Sequence, residues 1–315
     1  MAAEGTKYTL EQLQAGRMRG ACCEHILSLD AIHRIELFNK LAFERLQRKN
    51  NDILEIHRSA GENWNQTFHI LLFRVVGGTS NREAFDRTVA EGRVTYHTLM
   101  RENSSVESLE ALLLGTSGLL ELYAEDDYIR RLRKEFDHLR AKYDIVPMTI
   151  DEWQLTRIYP HNHPTLRLVQ LAACLRDNML TMQSATSCRK RSDVYRLFAG
   201  RASTYWAERF MPTANKMTIT RRIGQFKSDL LGINLVAQII FAYGNYLQSD
   251  TLIDNAIALL EDIPAEDNRY INLWNSLERI THSAYDSQAL IQLSTEYCLK
   301  RGCEECPLAT ALTRL

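Results

Sequence analysis

Apolar residues recur along this chain at three- and four-residue intervals far more often than at alternate positions, a period that predicts helices and no sheet. From Asp30 to His57 the apolar set Ile32, Ile35, Phe38, Leu41, Ala42, Leu46, Ile53 and Ile56 traces one stripe. Lys40, Glu44, Arg45, Gln47 and Arg48 lie mainly on the other side, which is the mark of a long amphipathic helix. Ile129, Leu132, Phe136, Leu139 and Tyr143 keep the same register in a second segment. There Arg130, Arg131, Arg133 and Lys134 are interleaved with Asp126, Asp127, Glu135 and Asp137, so the basic residues read as a solvated face of helical ion pairs. Further helical patterning covers residues 226–247, 252–260, 270–280 and 290–298.

Local signals set the expected boundaries. Ser104-x-x-Glu107 reads as a capping box opening a helix over Leu109 to Leu114, with Gly115 as its stop. Thr149-x-x-Glu152 reads as another, opening a helix that carries Trp153, Leu155 and Ile158. The stretch from Tyr159 to Thr165 must leave helix, because each proline biases its predecessor toward extended backbone. Pro164 then suits the first turn of a helix running from Leu166 to Leu180. Residues 230 to 249 contain no charge and are long enough to cross a bilayer, yet Asn234, Gln238, Asn245 and Gln248 would each carry an amide into hydrocarbon. A central buried helix is the expectation, with no membrane partner. The resulting fold class is all-α: a segment at 1–29, then one compact multi-helix domain at 30–315, with residues 184–222 as its one place of subdivision.

Bulk composition narrows function mainly by exclusion. With 315 residues and 45% hydrophobic content the chain can bury a large core, and 38 Lys+Arg against 39 Asp+Glu leave no net drive toward nucleic acid or acidic membrane. Seven cysteines, two of them adjacent, and an N-terminus without a basic-then-apolar leader point to a reducing, cytoplasmic setting. The most compact chemistry is Cys298-x4-Cys303-x2-Cys306: three thiols at spacings that converge on one metal, zinc first and iron–sulfur second. A fourth ligand is not evident from spacing. Cys22 or Cys23, Cys174, Cys188 and a histidine all remain open. The alternative is that these are reduced thiols ending a helix.

Asn162, Thr165, Arg167 and Gln170 form a second constellation around the proline-bounded turn. An arginine beside an amide at the start of a helix can hold a phosphate or carboxylate, but between Leu166 and Leu168 it more often fixes packing. Asn234 and Gln238, one turn apart on the uncharged helix, need hydrogen-bond partners, with Arg167 or Asp286 as candidates. His282, Asp286 and Ser287 are triad residue types, but Asp286 is better explained as the cap of the last helix. Between Arg189 and Lys227, basic residues alternate with Tyr195, Tyr205 and Trp206, a weak sign of nucleic-acid binding diluted by Asp193, Glu208 and Asp229. No reaction is assigned.

Several fragments together resemble a known family. They are Leu112-Leu113-Leu114-Gly115-Thr116-Ser117-Gly118-Leu119-Leu120; Arg157-x-x-Pro160-x-Asn162-x-Pro164-Thr165-x-Arg167-x-x-Gln170-Leu171-Ala172; Leu231-x-Ile233-Asn234 leading to Phe241-Ala242-Tyr243-Gly244; Pro264-Ala265-Glu266-x-Asn268; Asp286-Ser287-Gln288-Ala289-Leu290; and Glu296-Tyr297-Cys298. From about Leu41 to the C-terminus the chain is similar to an uncharacterised bacterial family, typical of Bacteroidetes, known as domain of unknown function 2851. The resemblance implies a helical architecture and carries no activity. It also implies that longer members have an upstream segment this chain lacks, which a protein partner would have to supply. His161 and His163 depart from the family pattern, so the resemblance does not make them ligands.

Overall fold

The computed structural model describes residues 19–90, 92–176, 180–212 and 218–309. Fifteen helices are named here in chain order: α1 Arg19–Ser28, α2 Ala31–Ser59, α3 Trp64–Gly77, α4 Arg82–Thr88, α5 Tyr96–Glu102, α6 Val106–Thr116, α7 Asp127–Tyr143 and α8 Pro164–Leu175. They continue with α9 Met182–Thr186, α10 Arg191–Leu197, α11 Trp206–Arg209, α12 Gln225–Leu247, α13 Asp250–Asp262, α14 Arg269–Trp274 and α15 Ala284–Gln292. Among the described residues there is no strand, only an isolated bridge between Pro264 and Ser283. The all-α expectation therefore holds.

Contacts gather the chain into two compact units. The first is Met1–Asn51 with Ile257–Leu315, and the second is Asp52–Ala256. Residues 184–222, expected to mark a subdivision of one domain, lie inside the second unit.

In the second unit the uncharged segment makes up most of one 23-residue helix, α12, apolar and long enough to cross a membrane, with 67% of its most apolar window buried. Ile233, Leu235, Val236, Ile239, Ile240 and Phe241 are all within 1% of full burial, which is why the helix carries no charge after Asp229. Its middle, Gly232–Val236, is wound as a π-turn. α3, α9 and α10 pack against it, and elsewhere in the unit α6 packs between α7 and α8. α7 follows its stripe closely: Asp126 caps it by accepting the N–H groups of Tyr128 and Ile129, and Ile129, Leu132, Phe136 and Leu139 are buried.

Four boundary expectations change. α6 is capped by Ser105, which accepts the N–H of Ser108, and not by Ser104. α6 also runs through Gly115 to Thr116, and the break comes at Gly118, whose φ is 72°. A Cβ at Gly118 would stand 2.4 Å from the Met148 carbonyl oxygen, so both conformation and space require glycine there. The Thr149/Glu152 capping box forms, with Glu152 accepting the Thr149 N–H at 3.0 Å, but it opens a single 3-10 turn, Ile150–Glu152. Trp153 turns inward to donate to the Ser117 carbonyl at 2.8 Å, and Arg157 takes a φ of 57°, so no helix propagates. Pro164 does stand at the first turn of α8, which ends at Leu175.

In the first unit, α2 buries Phe38, Leu41, Ala42 and Leu46. Ile32 and Ile35 at the head of the same stripe are 69% and 58% exposed, so periodicity overstates the buried length. α14 covers six residues of the expected 270–280 helix, and α15 continues into a π-turn, Leu293–Cys298.

Candidate functional site

The C-terminal tail reverses direction immediately after its first cysteine. The Gly302 N–H donates to the Tyr297 carbonyl at 2.9 Å, the Arg301 N–H to the Cys298 carbonyl at 3.4 Å, and Arg301 adopts a left-handed φ of 56°. This crossed pair is the Schellman ending of a helix, and it sends the chain back past the helix end. A second tight turn follows, closed by the Cys306 N–H donating to the Cys303 carbonyl at 3.3 Å. Two reversals within nine residues thus fold the Cys298, Cys303 and Cys306 segments onto each other. The tail is anchored by Tyr297, whose hydroxyl donates to Glu44 on α2 at 2.9 Å.

Cys306 is 6% exposed, while Cys298 and Cys303 are half-buried. Burial raises the pKa of both Cys303 and Cys306, but the backbone N–H groups of Ala309 and Leu308 point at the Cys306 sulfur and favour its thiolate. Donors aimed at sulfur are what a metal-bound thiolate uses. None of the seven cysteines is in a disulfide. Among the described residues no three His, Cys, Asp or Glu side chains stand ready to hold a metal ion, the tail cysteines included. Beside it, a cavity of about 350 Å³ is lined by Tyr270, Leu273, Trp274, Ser294 and Cys298.

The second constellation does come together. Arg167, 7% exposed, forks between the Asn162 side-chain carbonyl at 2.9 Å and that of Gln170 at 3.0 Å. Gln170 passes the link on, donating to the carbonyls of Thr220 and Arg222. Burial lowers the Arg167 pKa to about 10, and Thr165 is fully buried in the same turn. The arrangement fixes the irregular stretch 218–223 to the start of α8, a packing role. Replacing Arg167 with alanine is expected to cost about 2 kcal/mol in urea unfolding. Arg167→Lys, a point charge that cannot fork between two amides, is expected to recover less than half of it.

Asn234 and Gln238 do not join Arg167. Asn234 donates to the Leu230 carbonyl and Gln238 to the Ile233 carbonyl, both within α12, where the π-turn offers extra backbone acceptors. Asp286 caps α15: it accepts the N–H groups of His282 and Ser283 while Ser283 accepts its own, a complete capping box. Ser287 is buried and donates to the Ala284 carbonyl, so the triad residue types build no triad. His163 is buried against Phe210 and His161 stacks near Tyr159. The aromatic residues between Arg189 and Lys227 are engaged as well. Trp206 is fully buried, Tyr205 stacks on Tyr128 at 4.3 Å, and Tyr195 donates to Asp229, which also takes a bidentate pair from Arg191. Lys216 lies outside the described residues.

Two buried acids escaped sequence reasoning. Glu110, fully buried on α6, accepts hydrogen bonds from Trp206 Nε1 and the Tyr128 hydroxyl, both at 2.6 Å, and burial pushes its pKa up to about 7. In the first unit Gln288 accepts from Arg45 Nε at 2.5 Å and donates to Glu266, whose pKa is raised by burial. Only the interruption of a leucine run by Glu110, and the Glu266 and Gln288 fragments shared with the family, could have marked them.

The residues that carried the resemblance therefore have structural work in common: Gly118 admits the Met148 backbone, Arg167 and Gln170 fasten a loop, and Glu266 and Gln288 form a buried network. No curated protein and no solved structure matches the chain. One family model does, described as "Protein of unknown function (DUF2851)", over residues 2–269. The match starts before Leu41 and stops short of Asp286 and the cysteine tail. It takes in the glycine, arginine and glutamate fragments in their order along the chain, and by it this protein belongs to the DUF2851 family.

Proposed function

We propose that this protein is a cytoplasmic helical binding or scaffold module, without a reaction of its own, whose C-terminal tail is stapled by one zinc ion through Cys298, Cys303 and Cys306. The observation that supports this reading is the double reversal of the tail, which turns the chain back twice between Cys298 and Cys306, with two N–H donors at the Cys306 sulfur. Thiolates in a closed tetrahedral site make zinc a structural element, not a catalyst. The absence of an acid–base or nucleophile constellation in the residues weighed above supports a role in binding over one in chemistry.

Elemental analysis of the protein purified anaerobically is expected to return about one zinc per chain. The Cys303→Ala/Cys306→Ala double variant is expected to return none and to melt at a lower temperature. Unchanged metal content and unchanged melting in that variant would remove the staple.

A further inference from the structure

The second unit has a cavity of about 420 Å³ where the start of α6, the end of α8 and the loop after α10 meet. Arg176, Arg196 and Arg201 line it, one each from the end of α8, from α10 and from that loop, and none of its described lining residues is acidic. Two of the three arginines have a local reason to be there. Arg176 is the C-cap residue of α8 and Arg196 stands in the last turn of α10, where a cation answers the negative pole of a helix, and Arg196 also pairs with Asp193. Arg201 has no such reason: it is exposed, belongs to no helix, and makes no ion pair or side-chain hydrogen bond among the described residues. Its backbone is nevertheless pinned on both sides. Before it, Gly200 lies so close to α8 that a Cβ would stand 2.5 Å from the Ala173 carbonyl carbon and the Cys174 nitrogen. After it, the Ala202 N–H donates to the Arg221 carbonyl at 3.1 Å and the Arg221 side chain donates to the Ala202 carbonyl at 2.7 Å. A loop held in this way presents Arg201 to the cavity with its backbone already ordered, so a ligand need not supply that ordering.

We infer that this cavity binds a small molecule through a phosphate group held by Arg176, Arg196 and Arg201. Guanidinium groups gathered without a carboxylate between them repel one another, and a dianion replaces that repulsion by attraction. Each guanidinium can meet two phosphate oxygens at once, which lets residues from three segments share one group. Val106, the first residue of α6, is part of the same wall, and its N–H belongs to the first turn, which has no acceptor within the helix. Glu107, the acid of that turn, pairs with Arg131 at 3.3 Å and lines a different cavity. The volume exceeds that of a bare phosphate and falls in the range of small-ligand sites, and Leu197 and Ala199 give the wall an apolar part for the body of the molecule. The site belongs to the second unit and the cysteine tail to the first, so it stands independently of the zinc staple.

The test is calorimetric titration of the full chain with inorganic phosphate at pH 8 and fixed ionic strength, with acetate titrated as a carboxylate control. It is run on the wild type and on Arg201→Gln, Arg201→Lys, Ala199→Glu and Arg130→Gln, each checked for folding by its melting curve. The wild type should bind phosphate saturably at a single site and acetate at least about tenfold more weakly. Arg201→Gln should weaken phosphate binding by about tenfold or more, the effect of losing a charge-assisted hydrogen bond. Arg201→Lys should recover only part of that loss, since an ammonium does not match two oxygens at once. Ala199→Glu, at an exposed position, sets a carboxylate in the wall and should abolish binding. Arg130→Gln removes an exposed arginine of α7 outside the cavity and should match the wild type. Should Arg201→Gln melt early, Arg201→Lys and Ala199→Glu decide. Phosphate binding that does not saturate, that survives Ala199→Glu, or that falls as much in Arg130→Gln as in Arg201→Gln overturns the proposal. Equal affinity for acetate overturns it too, as does binding of a single-stranded oligonucleotide without a saturable response to phosphate, which would make the arginines part of a nucleic-acid surface.

Discussion

Replacing Glu110 with glutamine is expected to make the protein more stable above pH 7 and to leave it nearly unchanged at pH 4.5. Glu110 is fully buried, and its carboxylate is held by neutral donors, Trp206 Nε1 and the Tyr128 hydroxyl with the Ser203 backbone N–H beside them, and no cation is among these partners. Desolvation outweighs those hydrogen bonds and raises its pKa from the ordinary 4.5 to about 7. A raised pKa means that the folded protein holds a proton the unfolded chain has given up. The contribution to stability is therefore complete below about pH 4.5 and is lost as pH climbs through 7. A shift of this size corresponds to about 3 kcal/mol across that window. Glutamine fits the same space, its carbonyl oxygen can accept both donors, and it does not ionise. Urea unfolding of the two proteins at pH 5 and pH 8 measures the effect as a difference between them. That difference is needed because buried His69 and His163, whose pKa values fall to about 4, act with the opposite sign: their folded forms shed protons early, so they add stability as pH rises toward 6.5. If the variant and the wild type keep the same separation at both pH values, Glu110 is ionised throughout and the account of its burial is wrong.

The second large effect is expected at Gly115. A Cβ built on this residue would lie 2.1 Å from Cγ of Phe136 and 2.2 Å from its Cδ2, far inside contact distance. Gly115 lies in the last turn of α6 with right-handed backbone, so the position is explained by space and not by backbone freedom. α6 and α7 can pack at this separation only because the Phe136 ring rests on a bare Cα. Gly115→Ala gains about 1 kcal/mol of helix propensity and meets an overpacking cost at the upper end of the usual range, for a net loss of about 3 kcal/mol. Phe136→Leu in the same background should relieve part of that loss, and a double-mutant cycle should show coupling between the two sites. Additivity would mean that the ring moves aside and the contact does not constrain the helices.

The reading of Gly115 shows where sequence reasoning stops. As a glycine after a run of leucines it looked like a helix terminator, because the sequence records that a side chain is missing but not which neighbour fills the space. The α7 stripe and the start of α8 at Pro164 were legible, since both follow from spacing and from proline's fixed φ. The Thr149/Glu152 box was legible as a cap and misleading as a helix, because capping energy of about 1 kcal/mol does not outweigh burial of Trp153 in the opposite direction. Arg167 and Gln170 were recognised as a pair, but the carbonyls of Thr220 and Arg222 that give the pair its purpose lie 50 residues further on. Cys23 is the extreme case. Its thiol meets the Leu273 carbonyl at 4.0 Å across 250 residues of sequence, and no periodicity or motif reports on a contact of that kind.

That relation has a consequence for how the molecule is made. The second unit is one unbroken stretch, Asp52–Ala256, whereas the first is assembled from both ends of the chain. On a ribosome the middle of the protein can complete its core while the N-terminal helix still waits for residues not yet translated. Those residues begin only at Ile257. The core of the first unit is therefore the later of the two to close.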